Sequence, residues 1–181
     1  VKYAFHQHGR DTESSQPALI WFRPVPFLIS WELIRASHNN PSSINIINVV
    51  IITVVGFILF RWISFLFPKR KLLALISAVI FCLHPVNGVW INDYQGGVHI
   101  LLFLGVMLLC THAFFVHIAE EKGWIFYAAS LFLFFISLLF HEIAVFLPLY
   151  MALTIHFCLP RNQWRAYKLL VPFGFLIGIY L

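Results

Sequence analysis

The sequence predicts an all-α, polytopic integral membrane protein, and three observations carry that prediction. Of 181 residues, 61% are hydrophobic and 10% charged, against roughly half and a quarter in soluble domains. The mean hydropathy is +0.86. Apolar runs of about 18 or more residues recur, each long enough to cross a bilayer as a helix. About five full spans and one truncated span fit the pattern, preceded by a loop that carries an amphipathic helix. The formal net charge of +5 is therefore read through the placement of Lys and Arg around the spans. It is not read as nucleic-acid affinity.

Residues 1–43 form the first region, an outer-face loop. Pro24 and Pro26 prevent one long helix there. After them Phe27, Trp31 and Ile34 share a face, while Ser30, Glu32 and Arg35 fall elsewhere. That predicts a short helix lying on the membrane with a tryptophan at the interface. "HNNPSS" then breaks it.

Residues 44–181 form the second region, the membrane domain. A first span runs from Ile44 to near Phe67 and is followed by "PKRK". A second covers Leu72 to Val86, where Pro85 after His84 explains the stop. The polar loop "NGVWINDYQGG" follows, then a third span from Val98 to about Val116 and the connection "HIAEEKGW". From Trp124 to Leu159 the chain is apolar except for His141, Glu142 and His156. A single helix over this stretch would be about 54 Å long, nearly twice a bilayer core. Two spans are needed, and His141-Glu142 is the only internal polar break. A carboxylate at mid-membrane costs about 2.5–3.5 kcal/mol on insertion scales and much less at the surface. The pair therefore marks a membrane surface where one helix ends and the next begins. Pro148 marks a kink or an irregular start in the following span. The start at Val1 and the apolar stretch from Leu169 to Leu181, about 20 Å as a helix, read as the ends of a fragment.

Charge sets the orientation. "PKRK", "EEKG" and "RNQWRAYK" fall on one side of an antiparallel series, and the positive-inside rule makes that side cytoplasmic. The opposite face collects residues 1–43, the loop after His84, and His141-Glu142. Its polar set is Arg23, Arg35, His84, Asn92, Asp93, Gln95, His99, His141 and Glu142. Such a mixture can do acid-base work or grip a phosphate. The plainer alternative is that these residues cap helices and meet headgroup water. Asn45 and Asn48 open the first span one turn apart and read as capping or interhelical hydrogen-bonding groups.

Other chemistries fit less well. Cys82, Cys110 and Cys158 make no CxxC spacing and are odd in number, so they read as packed cysteines rather than as a disulfide or zinc framework. Nine histidines raise b-type haem, which needs paired axial ligands on facing helices. His141 and His156 fall about 60° apart, but His99 and His112 diverge by about 140°. His99 and His117 share a face yet stand about 27 Å apart along it. Two clean pairs do not emerge, and a haem-bearing redox subunit stands as an alternative beside a non-catalytic scaffold or transporter subunit. There is no Gly-rich phosphate loop, no GxSxG elbow, and "HEIAV" lacks the second histidine of a zincin. The outer-face acids are too few to argue for a metal site.

Four segments in order, "FRPVPFLISWELI", "NIIN", "ALISAVIFCLHPVNGVWI" and "SLLFHEIAVFLPL", resemble GT-C-type polytopic glycosyltransferases. The resemblance is to the branch of membrane O-mannosyltransferases followed by tetratricopeptide repeats, and their bacterial relatives. It covers about residues 20–150. It rests on an aromatic-Arg-Pro segment, a span ending in His-Pro-Val, and an S-K-E-x-A-x-x-L-P-like motif. It implies transfer of a sugar from a polyprenyl-phosphate carrier to a protein, lipid or glycan on the outer face. That face is periplasmic or extracellular in a bacterium, and the lumen of the endoplasmic reticulum in a eukaryote. By position, Arg23, His84 and His141 would hold the donor phosphate, and Glu142 would be the motif acid. Three departures stand out. His141 replaces the motif lysine, and Asn87-Gly88 replaces the acid that commonly follows His-Pro-Val, with Asp93 as a substitute. The family's principal catalytic acid lies upstream, after a span this chain lacks, so the fragment alone is expected to be inactive. No cofactor is implied beyond the lipid-linked sugar donor.

Overall fold

The computed structural model describes residues 24–37, 40–85, 87, 97–120, 123–158 and 164–181, and every element among them is helical. In chain order these are α1 (Pro24–Ala36), α2 (Pro41–Leu66), α3 (Lys71–Leu83), α4 (Gly97–Glu120) and α5 (Trp124–Phe140). A 3-10 turn (Glu142–Phe146) leads into α6 (Leu147–Cys158), and α7 (Trp164–Lys168) and α8 (Val171–Tyr180) complete the order. Two helices are long and apolar enough to cross a membrane, over Ser42–Leu66 and Val98–Ala119.

Helix α1 starts on its prolines rather than after them. Pro24 and Pro26 both fall in the first turn, where a missing N–H leaves no bond unmade. Val25 and Ile29 pack toward the core against α4 and α5. Phe27 and Trp31 remain exposed.

Helix α2 begins at Pro41, three residues before the expected Ile44. Asn40 is the cap, its Oδ1 accepting the Ser42 N–H at 3.1 Å, and Pro41 takes the first helical position. The stretch that ends α1 thus also starts α2. Helix α3 is shorter than expected, ending at Leu83 rather than Val86. His84 leaves the helical region as its C-cap, with φ −62° and ψ 131°, as the residue before a proline prefers. Helix α4 runs on to Glu120, past the expected Val116.

Packing fixes the directions. Helix α2 runs beside both α3 and α4, and α4 lies along α5. The α2–α4 pair is parallel. Trp62 meets Phe115 with ring centroids 5.1 Å apart, and a Cβ on Gly105 would lie 3.2 Å from Val55. The α4–α5 pair is antiparallel, because Phe103 near the start of α4 meets Phe140 at the end of α5. The start of α2, the end of α3, the start of α4 and the end of α5 therefore share one end of the bundle. The turn Phe67–Arg70 and the end of α4 share the other. Near that second end Phe173 of α8 meets Phe114 edge-on and Phe134 at a tilt, with centroids 5.6 and 5.1 Å away, and Tyr127 donates its hydroxyl to the Leu169 carbonyl at 2.8 Å.

Several buried hydroxyls are satisfied within their own helix. The hydroxyls of Ser130, Ser137, Thr111 and Thr154 donate to carbonyls three or four residues back, and the Cys110 thiol donates to Ser130 O at 3.2 Å. A buried polar group away from water needs such a partner.

Candidate functional site at the α5–α6 junction

The site is built on a one-residue break. Helix α5 closes when the His141 N–H donates to Ser137 O at 3.1 Å. His141 itself is extended, with φ −159° and ψ 136°. Glu142 then opens the 3-10 turn, and α6 starts at Leu147 with Pro148 in its first turn. The irregular start expected of Pro148 is present, and it places the proline where no intrahelical N–H is needed.

His141 does local work. Its Nδ1 accepts the Ile143 N–H at 3.3 Å and caps the turn. The same Nδ1 stands 3.4 Å from Glu142 Oε2. One nitrogen serves one of these roles at a time. With its lone pair it caps Ile143, which puts the proton of a neutral imidazole on Nε2; with a proton it donates to the carboxylate. The ring lies against Phe103, centroids 5.6 Å apart, so α4 sets its orientation. Glu142 sits in the first turn of the 3-10 segment, the electropositive end of a helical stretch. Both side chains are partly buried, His141 at 21% and Glu142 at 28% exposure. They remain open enough to reach a ligand.

The structure brings His141 and Glu142 together and places His84 at the same end of the bundle, on the terminus of α3. His99 lies in the first turn of α4 at that end, half-buried. Arg35 pairs with Glu32 at 3.9 Å on the exposed side of α1, a pairing worth little. Arg23 and Asp93 lie outside the described residues, as do Asn92 and Gln95. Among the described residues no three His, Cys, Asp or Glu side chains gather into a metal-binding group. His112, a candidate axial ligand, is held edge-on by Trp62 and Phe65. His117 lies against Trp124 and Tyr127.

The roles of two residues at or near the site escaped the sequence reading, and a third, Asn48, was read there as a capping or interhelical hydrogen-bonding group. Asn87 is buried, and its Nδ2 donates to the Phe81 carbonyl, closing the end of α3. An Asn just past a helix end is a capping signal, and it could have been read as one rather than as a missing acid. Asn48 is fully buried inside the bundle. Phe103 orients His141 from 38 residues away in sequence, and no local pattern could have found it.

Comparison with protein-family models, with curated proteins and with solved structures returns no match.

Proposed function

We propose that this chain is a polytopic membrane segment of a GT-C-type glycosyltransferase, which transfers a sugar from a polyprenyl-phosphate carrier to an outer-face acceptor. The observation that carries the reading is the His141-Glu142 junction: a carboxylate and a capped imidazole, half-buried, at the bundle end opposite the basic Lys69-Arg70-Lys71 turn. Its membrane setting is supported by the outward face of α2, where Ile46, Val50, Val54 and Phe57 are all more than half exposed. A soluble protein would rarely leave so continuous an apolar face in water.

In this reading the Nε2–H of His141 faces a phosphate oxygen while Nδ1 keeps its cap. His84 and Arg23 add donors to the same phosphate, and Arg23 offers a charge-assisted fork. Glu142 orients the acceptor or takes its proton, with Asp93 as a second acid.

The test is a thermal-stability titration of the full-length protein in detergent with polyprenyl-phosphate and its sugar conjugates. A ligand that binds the folded state raises the melting temperature by mass action. The expected result is stabilisation by one sugar conjugate that is lost in Arg23→Ala, with transfer lost in Glu142→Gln at unchanged protein level. Full transfer by Glu142→Gln would sink the assignment of that acid. No response to any carrier lipid would sink the transferase reading.

A further inference from the structure

Helices α2 and α3 touch closely at one level and part on their outward side. At Gly56 a Cβ would collide with the Cys82 Sγ of α3, and the Ala78 carbonyl oxygen lies 3.9 Å from it. Beside that contact lies an open groove of about 450 Å³, lined by Phe57 and Phe60 of α2 and by Leu75, Val79 and Leu83 of α3. Its volume is that of a small-ligand site, yet it offers a ligand almost nothing polar. Thr53, at its edge, already spends its hydroxyl on the Val49 carbonyl at 2.8 Å. From Leu75 to Leu83 the groove runs about 12 Å along α3.

One end of the groove is charged. Lys71 precedes Leu75 by four residues and so stands one helical turn beyond the lining, while Arg61 follows Phe57 by four and directly follows Phe60, so both lie at this end of the groove, on or beside its face. Lys69 and Arg70 fill the turn between the helices. All four are exposed, and the ion pairs among the described residues involve other groups. An apolar slot that ends under four cations matches one chemistry, a hydrocarbon chain carrying an anionic head.

We propose that the α2–α3 groove binds an anionic glycerophospholipid, with an acyl chain between Phe57, Phe60, Leu75 and Val79 and its phosphate held by Arg61 and Lys71. Lys69 and Arg70 add attraction for the anionic surface. The cations that hold the phosphate stand at the opposite end of the bundle from His141-Glu142, although the apolar lining reaches Leu83 beside His84, so the lipid phosphate is separate from the donor phosphate proposed above. It rests on the membrane reading and not on the transferase reading.

The experiment titrates detergent-purified full-length protein with phosphatidylglycerol or phosphatidylcholine and follows thermal stability. Phosphatidylglycerol at about a hundredfold excess over its dissociation constant should raise the melting temperature by roughly 5 °C, and phosphatidylcholine should not. The difference should vanish in Arg61→Gln/Lys71→Gln, both exposed positions, and in Val79→Trp, which fills the groove from its outer side. Native mass spectrometry of the unsubstituted protein provides a check that needs no variant: phosphatidylglycerol should survive activation that strips phosphatidylcholine. Equal responses to the two lipids would overturn the proposal, as would a phosphatidylglycerol response that persists in either variant. An equal shift with glycerol phosphate alone would leave the groove without a role and overturn it too. A dimer that Val79→Trp dissociates would replace the lipid with a second copy of the chain. Extraction of native membranes at alkaline pH separates the two failures. Release of the protein would overturn the membrane reading, whereas retention with no lipid preference overturns only this site.

Discussion

At the residue scale, His141 joins two jobs that substitution can separate. As a cap it needs only an acceptor one residue ahead of the turn, and asparagine supplies one as well as any residue does. As a phosphate ligand it needs the Nε2–H on the far side of the ring. His141→Ala should therefore lose about 1 kcal/mol of stability, the usual worth of an N-cap, while His141→Asn melts with the unsubstituted protein. Both should lose the stabilisation by polyprenyl-phosphate sugar. If His141→Asn keeps that response, the imidazole is a cap and nothing more. The two roles differ in how far the sequence could carry them. The break at His141-Glu142 was readable because an acid in so apolar a run has few inexpensive places to sit. The competition for Nδ1 was not, because it depends on the extended backbone at His141 and on Phe103, which packs against the ring from another helix.

At the element scale, boundaries misread from sequence trace to residues with two uses. "HNNPSS" signals a break, and Asn40-Pro41 within it also opens α2. Asn87 sits where a motif acid was expected and instead closes α3. The pairing of helices had a fainter signal, a glycine in the middle of an apolar helix. Gly56 permits α2 to approach α3, as small residues do where helices pack in lipid. Propensity alone would make Gly56→Ala stabilising by about 1 kcal/mol. The Cβ meets Cys82 Sγ, and overpacking costs about 1–3 kcal/mol, so the substitution should be neutral or destabilising. In a Cys82→Ala background the sulfur is gone and the sign should turn favourable. A thermodynamic cycle over the two positions should therefore show a coupling of about 1–3 kcal/mol. Additivity would mean that α2 and α3 do not meet at this level.

At the scale of the whole molecule, the distribution of charge and the directions of the helices make one joint claim. Parallel α2 and α4, with α3 and α5 returning beside them, send His84 and His141-Glu142 to one end and Lys69-Arg70-Lys71 to the other. The alternation of apolar runs and polar connections reached the same division without any knowledge of packing, because Lys and Arg placement is written in the connections themselves. The helix lengths complicate it. Helix α2, with 26 residues, is about 39 Å long, whereas α3, with 13, is only about 20 Å. A bilayer core is about 30 Å, so α3 crosses only if the flanking turn and the segment after His84 make up the difference or the bilayer thins beside it. The groove against α2 lies along this short helix, where a bound lipid would cover its outward face. Single cysteines decide whether the return crossing is real. In a protein freed of its native thiols, an impermeant maleimide applied to intact cells should label His84→Cys and spare Lys69→Cys, and permeabilisation should expose both. Labelling of both positions from outside would mean that α3 lies along the surface instead of crossing. The orientation of α2 would then be reversed, while His84 and everything after it, His141-Glu142 included, would keep the outer placement.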